Sequence, residues 1–132
     1  MKKCYLIDDD KIFNLISSKM IERSGWNVNV SVFNNAETAL ELIQQNLNQP
    51  SDLPEIILLD IRMPEMDGFT FLERLSKVNV EFLQGLKVFM LSSSLDERDM
   101  QTAYQYKIVK GFLNKPLTIE SLHGIIHDAD LN

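Results

Sequence analysis

Short apolar runs alternate along this chain with longer segments in which apolar residues recur every three or four positions. The runs are Cys4-Tyr5-Leu6-Ile7, Val28 to Phe33, Ile56-Ile57-Leu58-Leu59, Val88-Phe89-Met90-Leu91 and Phe112-Leu113. Unbroken apolar character predicts strands buried on both faces, whereas the polar alternation of Val28 to Phe33 places that run nearer a sheet edge. Between the runs, Ile12, Leu15, Ile16 and Met20 form the apolar stripe of a first helix that stops at Gly25. Ala36, Ala39, Leu40, Ile43 and Leu47 mark a second, capped by Asn34 or Asn35 and closed by the polar linker 48–54. Phe69, Leu72 and Leu75 mark a third, which opens just beyond Asp67-Gly68. A fourth is expected over about Asp96 to Tyr106 with Met100, Ala103 and Tyr104 inward. A fifth is capped by Thr118 and buries Leu122, Ile125, Ile126 and Ala129. This alternation predicts an α/β domain, a parallel five-stranded sheet that is doubly wound, with ligands beyond the carboxyl ends of its strands.

The length of 132 residues suits one domain over 1–132, with a core from about 3 to 129, and permits a core that needs no staple. There are 13 Lys plus Arg against 19 Asp plus Glu, a formal charge of −6, with 45% hydrophobic and 24% charged residues. That is ordinary soluble composition, neither disordered nor low-complexity. The acidic balance argues against direct nucleic-acid binding and against anionic membrane surfaces. Cys4 is the single cysteine and lies in an apolar run, so a buried thiol and a reducing compartment are expected. No run approaches the roughly 20 apolar residues of a membrane span, and the start Met-Lys-Lys-Cys-Tyr-Leu-Ile-Asp turns acidic too soon for a signal peptide. A cytoplasmic protein is expected.

The residues that close the strands carry the chemistry. The first strand ends in Asp8-Asp9-Asp10, the third in Asp60, the fourth in Ser92-Ser93-Ser94 and the fifth in Asn114-Lys115-Pro116. In a parallel sheet these ends share one edge. Two carboxylates about 4 Å apart repel by on the order of 4 kcal/mol at an effective dielectric of 20, which calls for a cation. Mg2+ fits, because it takes oxygen ligands and is held by one or two carboxylates plus a phosphate. Lys115 supplies a second positive charge. Carboxylate, metal, hydroxyl and ammonium together stabilise a phosphoryl group in transit, and Asp60, apart from the other acids on a central strand, is the nucleophile of an acyl-phosphate intermediate. Each residue alone has a plainer reading: Asp9 or Asp10 as a helix cap, Asp60 as a turn residue, the serines as loop, and Lys115-Pro116 as a solvated lysine before a turn. Their conjunction at one edge is what independent turn chemistry does not produce.

Leu58-Leu59-Asp60-Ile61-Arg62-Met63-Pro64-Glu65-Met66-Asp67-Gly68 resembles the phosphoacceptor strand and turn of response-regulator receiver domains of two-component signalling. Leu6-Ile7-Asp8-Asp9-Asp10 resembles their acidic metal-binding segment, and Gly111-Phe112-Leu113-Asn114-Lys115-Pro116 their last strand with its lysine and often cis proline. The likeness runs from Lys3 to about Ala129 and is closest to single-domain, chemotaxis-regulator-like members. It implies a flavodoxin-like strand order 2-1-3-4-5 with five helices. It implies that Asp60 is phosphorylated, that Asp9 and Asp60 bind Mg2+ directly with the backbone carbonyl of Arg62, and that Asp8 assists through water. Ser92 falls at the hydroxyl position that turns toward the phosphoryl oxygens, Lys115 at the lysine that pairs with them, and Phe112 at the aromatic that swings inward when Ser92 moves. The implied partners are a histidine kinase or histidine phosphotransfer protein upstream and a target protein downstream, since the receiver nearly fills the chain and leaves no room for a DNA-binding or catalytic output domain. The protein would then be no enzyme beyond its own phosphorylation and dephosphorylation.

Some positions depart from the family pattern. Arg62 and Ser94 stand at the two positions that tune phosphoryl lifetime, and the corner Tyr104-Gln-Tyr-Lys-Ile-Val-Lys110 lacks the usual small Gly-Ala pair, which points to a reshaped output surface. Phe112 lacks the hydroxyl of a Tyr. Two other readings compete. A haloacid-dehalogenase-like phosphohydrolase would use Asp8-x-Asp10, Ser92 and Lys115 with Asp8 as nucleophile, but there is no room for a cap domain, Asp128-x-Asp130 falls in a helix, and Asp60 goes unexplained. A phosphorylation-independent docking module would not need the intact acidic set. His123 and His127, four apart on the last helix, read as a solvated flank and Trp26 as a packing residue.

Overall fold

The computed structural model describes residues 2–94 and 96–130, with side chains described through residue 125. Five parallel strands, β1 (Lys2–Ile7), β2 (Val28–Phe33), β3 (Ile56–Asp60), β4 (Lys87–Ser92) and β5 (Val109–Asn114), form one sheet in the order β2-β1-β3-β4-β5. Strand order and class are those expected. Strands β1, β3 and β4 lie in the middle and are nearly all buried, while β2 is an edge, as its polar alternation predicts. Strand β5 is longer than the apolar pair Phe112-Leu113, because at the other edge Val109 is buried while Lys110 faces out and breaks the run.

Alternation along the strands divides the core between two faces. Ile7, Ile57, Leu59, Val88 and Met90 pack with residues of α2 (Ala36–Gln45) and α3 (Gly68–Leu75) on one face; Leu6, Ile56, Leu58, Phe89 and Leu91 pack with Ile21 of α1 (Lys11–Arg23) and with Leu122 and Ile125 of α6 (Ile119–Asp130) on the other. Trp26 belongs to the second cluster, as a packing residue should.

Three expectations change. A sixth helix, α4 (Val80–Gly85), stands between α3 and β4; it is capped by Asn79 and has no fully buried residue, so its periodicity is too weak to read. α5 (Glu97–Ala103) is shorter than expected: Ala103 is buried, Met100 half-buried, and Tyr104, its C-cap, is 51% exposed rather than inward. On α1 Met20 is half-buried against the second cluster as expected, but the rest of the apolar stripe points the wrong way for a core. Ile12, Leu15 and Ile16 are 72%, 57% and 55% exposed, and Asn14, Ser17 and Ile21 face the sheet instead. The cap decides this phase. Asp10 accepts from the N–H groups of Ile12 and Phe13, and Asn14 Nδ2 donates to the Asp8 carbonyl at 2.7 Å, which turns the polar flank of the helix inward. For α6, Leu122 and Ile125 are buried as expected, and Ile126 and Ala129 lie outside the described side chains.

Candidate functional site

The carboxyl ends of β1, β3, β4 and β5 meet at one edge of the sheet, in a register that pairs Ile7 with Leu59, Asp60 with Leu91 and Ser92 with Asn114. Main-chain bonds hold the loops where the strands stop: Asp8 N–H to the Phe33 carbonyl at 3.1 Å, Ile61 N–H to Leu91 at 3.2 Å and Lys115 N–H to Ser92 at 2.9 Å. The predicted residues therefore converge. Asp8, Asp9 and Asp60 each offer a carboxylate oxygen within 4.8 Å of the others, Asp8 and Asp60 buried and Asp9 exposed. Lys115 Nζ lies 2.7 Å from Asp8 Oδ2 and 3.5 Å from Asp60 Oδ1. The Lys115-Pro116 bond is cis, as the resemblance implies.

The acids divide into distinct roles. Asp10 is the cap of α1, one of the plainer readings, and so is not part of the cluster's chemistry. Asp8 Oδ1 accepts the Asp10 N–H at 2.9 Å, and the buried Oδ2 is paired with the Lys115 ammonium at 2.7 Å. Three carboxylates that each offer an oxygen within 4.8 Å of the others, offset here by the Lys115 ammonium alone, are a donor set that fits a hard divalent cation. Burial raises the Asp60 pKa from 3.8 to about 7, the charge of Asp8 adds to the rise, and Lys115 with the Arg62 N–H works against it. Burial disfavours the charged form of Lys115, but its bond to Asp8 and the fields of Asp60 and Asp8 prevail and lift its pKa. A cation between the carboxylates would relieve both Asp8 and Asp60.

The remaining candidates sit at the rim. Ser92 is buried at the end of β4, with its hydroxyl donating to the Ser94 carbonyl at 2.7 Å and accepting the Ser94 N–H at 3.1 Å, so it is engaged with its own loop. Phe112 on β5 is half-buried and meets the Tyr104 ring edge-on, with centroids 5.2 Å apart. Arg62 reaches out of the β3 turn to Asp99 on α5 at 2.7 Å. His123 is exposed, the solvated flank expected of it; the His127 side chain lies outside those described. Cys4 is fully buried, and burial pushes its thiol up to about 12, which leaves it unreactive at neutral pH.

Several positioning residues carried no sequence signal of their own. Asn14 ties the Asp8 carbonyl to Asn34 Oδ1 at 3.2 Å, so Asn35 alone caps α2. Phe13 lies beneath the Lys115 ammonium, 4.8 Å from its ring centre, a cation–π contact that restrains the lysine. Gly68 was legible only as a turn glycine. A Cβ there would stand 2.5 Å from the Asp60 carbonyl oxygen, so only glycine lets α3 start against the end of β3.

The sequence profile described as the response regulator receiver domain matches residues 4–127. A probable methanogenesis regulatory protein, FilR2 of Methanothrix harundinacea, is 26% identical over 123 residues, 93% of this chain and 77% of that protein. The two-component response regulator ARR10 of Arabidopsis thaliana is 33% identical over 119 residues, 90% of this chain but only 19% of that much longer protein. The crystal structure of a two-component response regulator from Cytophaga hutchinsonii superposes with a TM-score of 0.89 at 26% identity, covering 100% of this chain and 98% of that one.

Proposed function

The chain belongs to the response regulator receiver domain family, a phosphoacceptor signalling module, and from that premise we propose that Asp60 takes a phosphoryl group from a histidine kinase or a histidine phosphotransfer protein. The observation that carries this reading is the convergence of Asp8, Asp9, Asp60 and Lys115 at the strand ends. An Asp60 carboxylate oxygen attacks phosphorus as the phosphorus–nitrogen bond to the donor imidazole breaks, and the electron pair of that bond returns to the ring nitrogen. Asp8, Asp9, Asp60 and the Arg62 carbonyl would hold Mg2+, which neutralises the acids and draws charge from the transferring oxygens when bound. Lys115 then leaves Asp8 for a phosphoryl oxygen. Ser92 exchanges its bond to Ser94 for another, and Phe112 is released to move inward. The signal passes to a target protein by contact.

The donor's landing site is the outward face of α1. Ile12, Leu15 and Ile16 are exposed there, and Ile119, 46% exposed, lines one shallow pocket with Ile16. An apolar stripe kept in water beside the phosphoacceptor is a docking surface rather than misplaced core. The test is intact-mass analysis with Mg2+ and a small acyl-phosphate donor. One phosphoryl group is expected on the wild type and none on Asp60→Asn; an undiminished gain in the variant would falsify the reading.

A further inference from the structure

Arg62 joins two regions that sequence keeps far apart. Its backbone lies two residues past Asp60 in the turn that follows β3, and its guanidinium Nη2 stands 2.7 Å from Asp99 Oδ2 on α5. One residue thus ties the turn beside the proposed phosphoacceptor to α5 through its side chain. α5 is thinly attached elsewhere: of its 7 residues only Ala103 is buried. Its first turn carries Glu97 and Asp99 next to the cap Asp96, so it presents negative charge toward the rim of the site.

A phosphoryl group carries roughly −1.5 to −2 charge near neutral pH, with three strong acceptor oxygens. On Asp60 that charge would arise two residues from Arg62, within reach of a long and largely exposed side chain. Guanidinium binds phosphate and carboxylate by the same fork of donors, so the two anions are alternatives for it. We propose that Asp99 and the phosphoryl group compete for the Arg62 guanidinium, so that phosphorylation withdraws the tie between the site and α5. Asp99 is then a positioning residue that acts on the phosphoryl site through Arg62. This rests on Asp60 being the phosphoacceptor. Coupling of this kind is reciprocal: whatever frees Arg62 from α5 strengthens its hold on the phosphoryl group by the same factor.

The experiment is a double-mutant cycle of Arg62→Gln and Asp99→Asn in the full chain, with amide hydrogen exchange over α5 and titration with beryllium fluoride and Mg2+ as readouts. Because Arg62 is 69% exposed on its side chain, few-fold effects are expected. Each single variant should speed exchange in α5 roughly two- to fivefold without fluoride, and the double variant no more than the singles. Asp99→Asn should bind the phosphoryl mimic roughly two- to fivefold more tightly, a gain that disappears in the Arg62→Gln background. Glu97→Gln, which removes a charge from the same turn, should leave that affinity unchanged. An equal gain with and without Arg62, a gain matched by Glu97→Gln, or unaltered exchange in both single variants overturns the competition. A wild type that forms no fluoride adduct overturns the phosphoacceptor reading itself, a different result from any of these.

Discussion

Asp60 shows how a single side chain is made ready by its surroundings. Burial and the neighbouring Asp8 charge hold its pKa at about 7 instead of 3.8 in the metal-free protein. The folded chain therefore binds more protons than the unfolded one between those values, and Asp60 makes stability fall as pH rises through that window. Asp60→Asn removes the cost of a buried charge. Without divalent metal, the variant should exceed the wild type by on the order of 2 kcal/mol slightly above neutral pH and by little near about pH 4, where both forms are uncharged. Melting curves in chelator across that range check the sign; a gain that grows toward acid pH would contradict it. The candidate acids, Ser92 and Lys115 were all legible from the sequence, because they close apolar runs. Asn14, Phe13 and Asp99 were not, because each acts through a partner remote in sequence, and no local pattern encodes that partner.

The helices position these residues, and two of them yield tests at their own scale. Gly68 lets the first turn of α3 press against the Asp60 carbonyl, where a Cβ would come within 2.5 Å of a backbone atom that cannot swing away. Gly68→Ala should cost about 1–3 kcal/mol, as overpacking does, and should slow phosphorylation by shifting the end of β3. Chemical denaturation and the mass assay together measure it, and a fully stable, fully active variant would show that α3 can retreat freely. On α1, Ile16→Glu places a charge on an already solvated face. Stability should change by less than about 0.5 kcal/mol and modification by a small acyl phosphate should be unaffected. Transfer from a phosphorylated donor protein should slow at least severalfold. Equal slowing with both donors would place Ile16 in the chemistry instead of in docking. The periodicity of α1 announced a helix correctly but not its phase, since Asn14, Ser17 and Ile21 repeat at helical spacing too, and the Asp10 cap and the Asn14 bond chose between the two faces. α4 escaped notice for lack of buried residues.

At the scale of the molecule, the formal charge of −6 acquires a location. Part of it is the cluster of Asp8, Asp9 and Asp60, which one lysine only partly offsets. Mg2+ should therefore stabilise the whole fold by linkage, by about 2.7 kcal/mol at a hundred times its dissociation constant. Thermal melts against Mg2+ concentration measure this, and an Asp9→Asn variant should lose most of the response; an unchanged midpoint in the wild type would argue against a metal site. Among the described residues no helix is long and apolar enough to cross a membrane. The chain by itself determined the strand number, the parallel α/β class and the functional candidates, because a buried strand must be apolar throughout and a change to acids or lysine marks where it ends. Only the tertiary structure decided the outward face of α1, the grip of Asn14 and Gly68 on the site, and the tie from Arg62 to α5. Each of these is a contact between segments whose separation in sequence says nothing of their distance in space, and free energy of packing, not local preference, selects among the faces and rotamers the sequence leaves open.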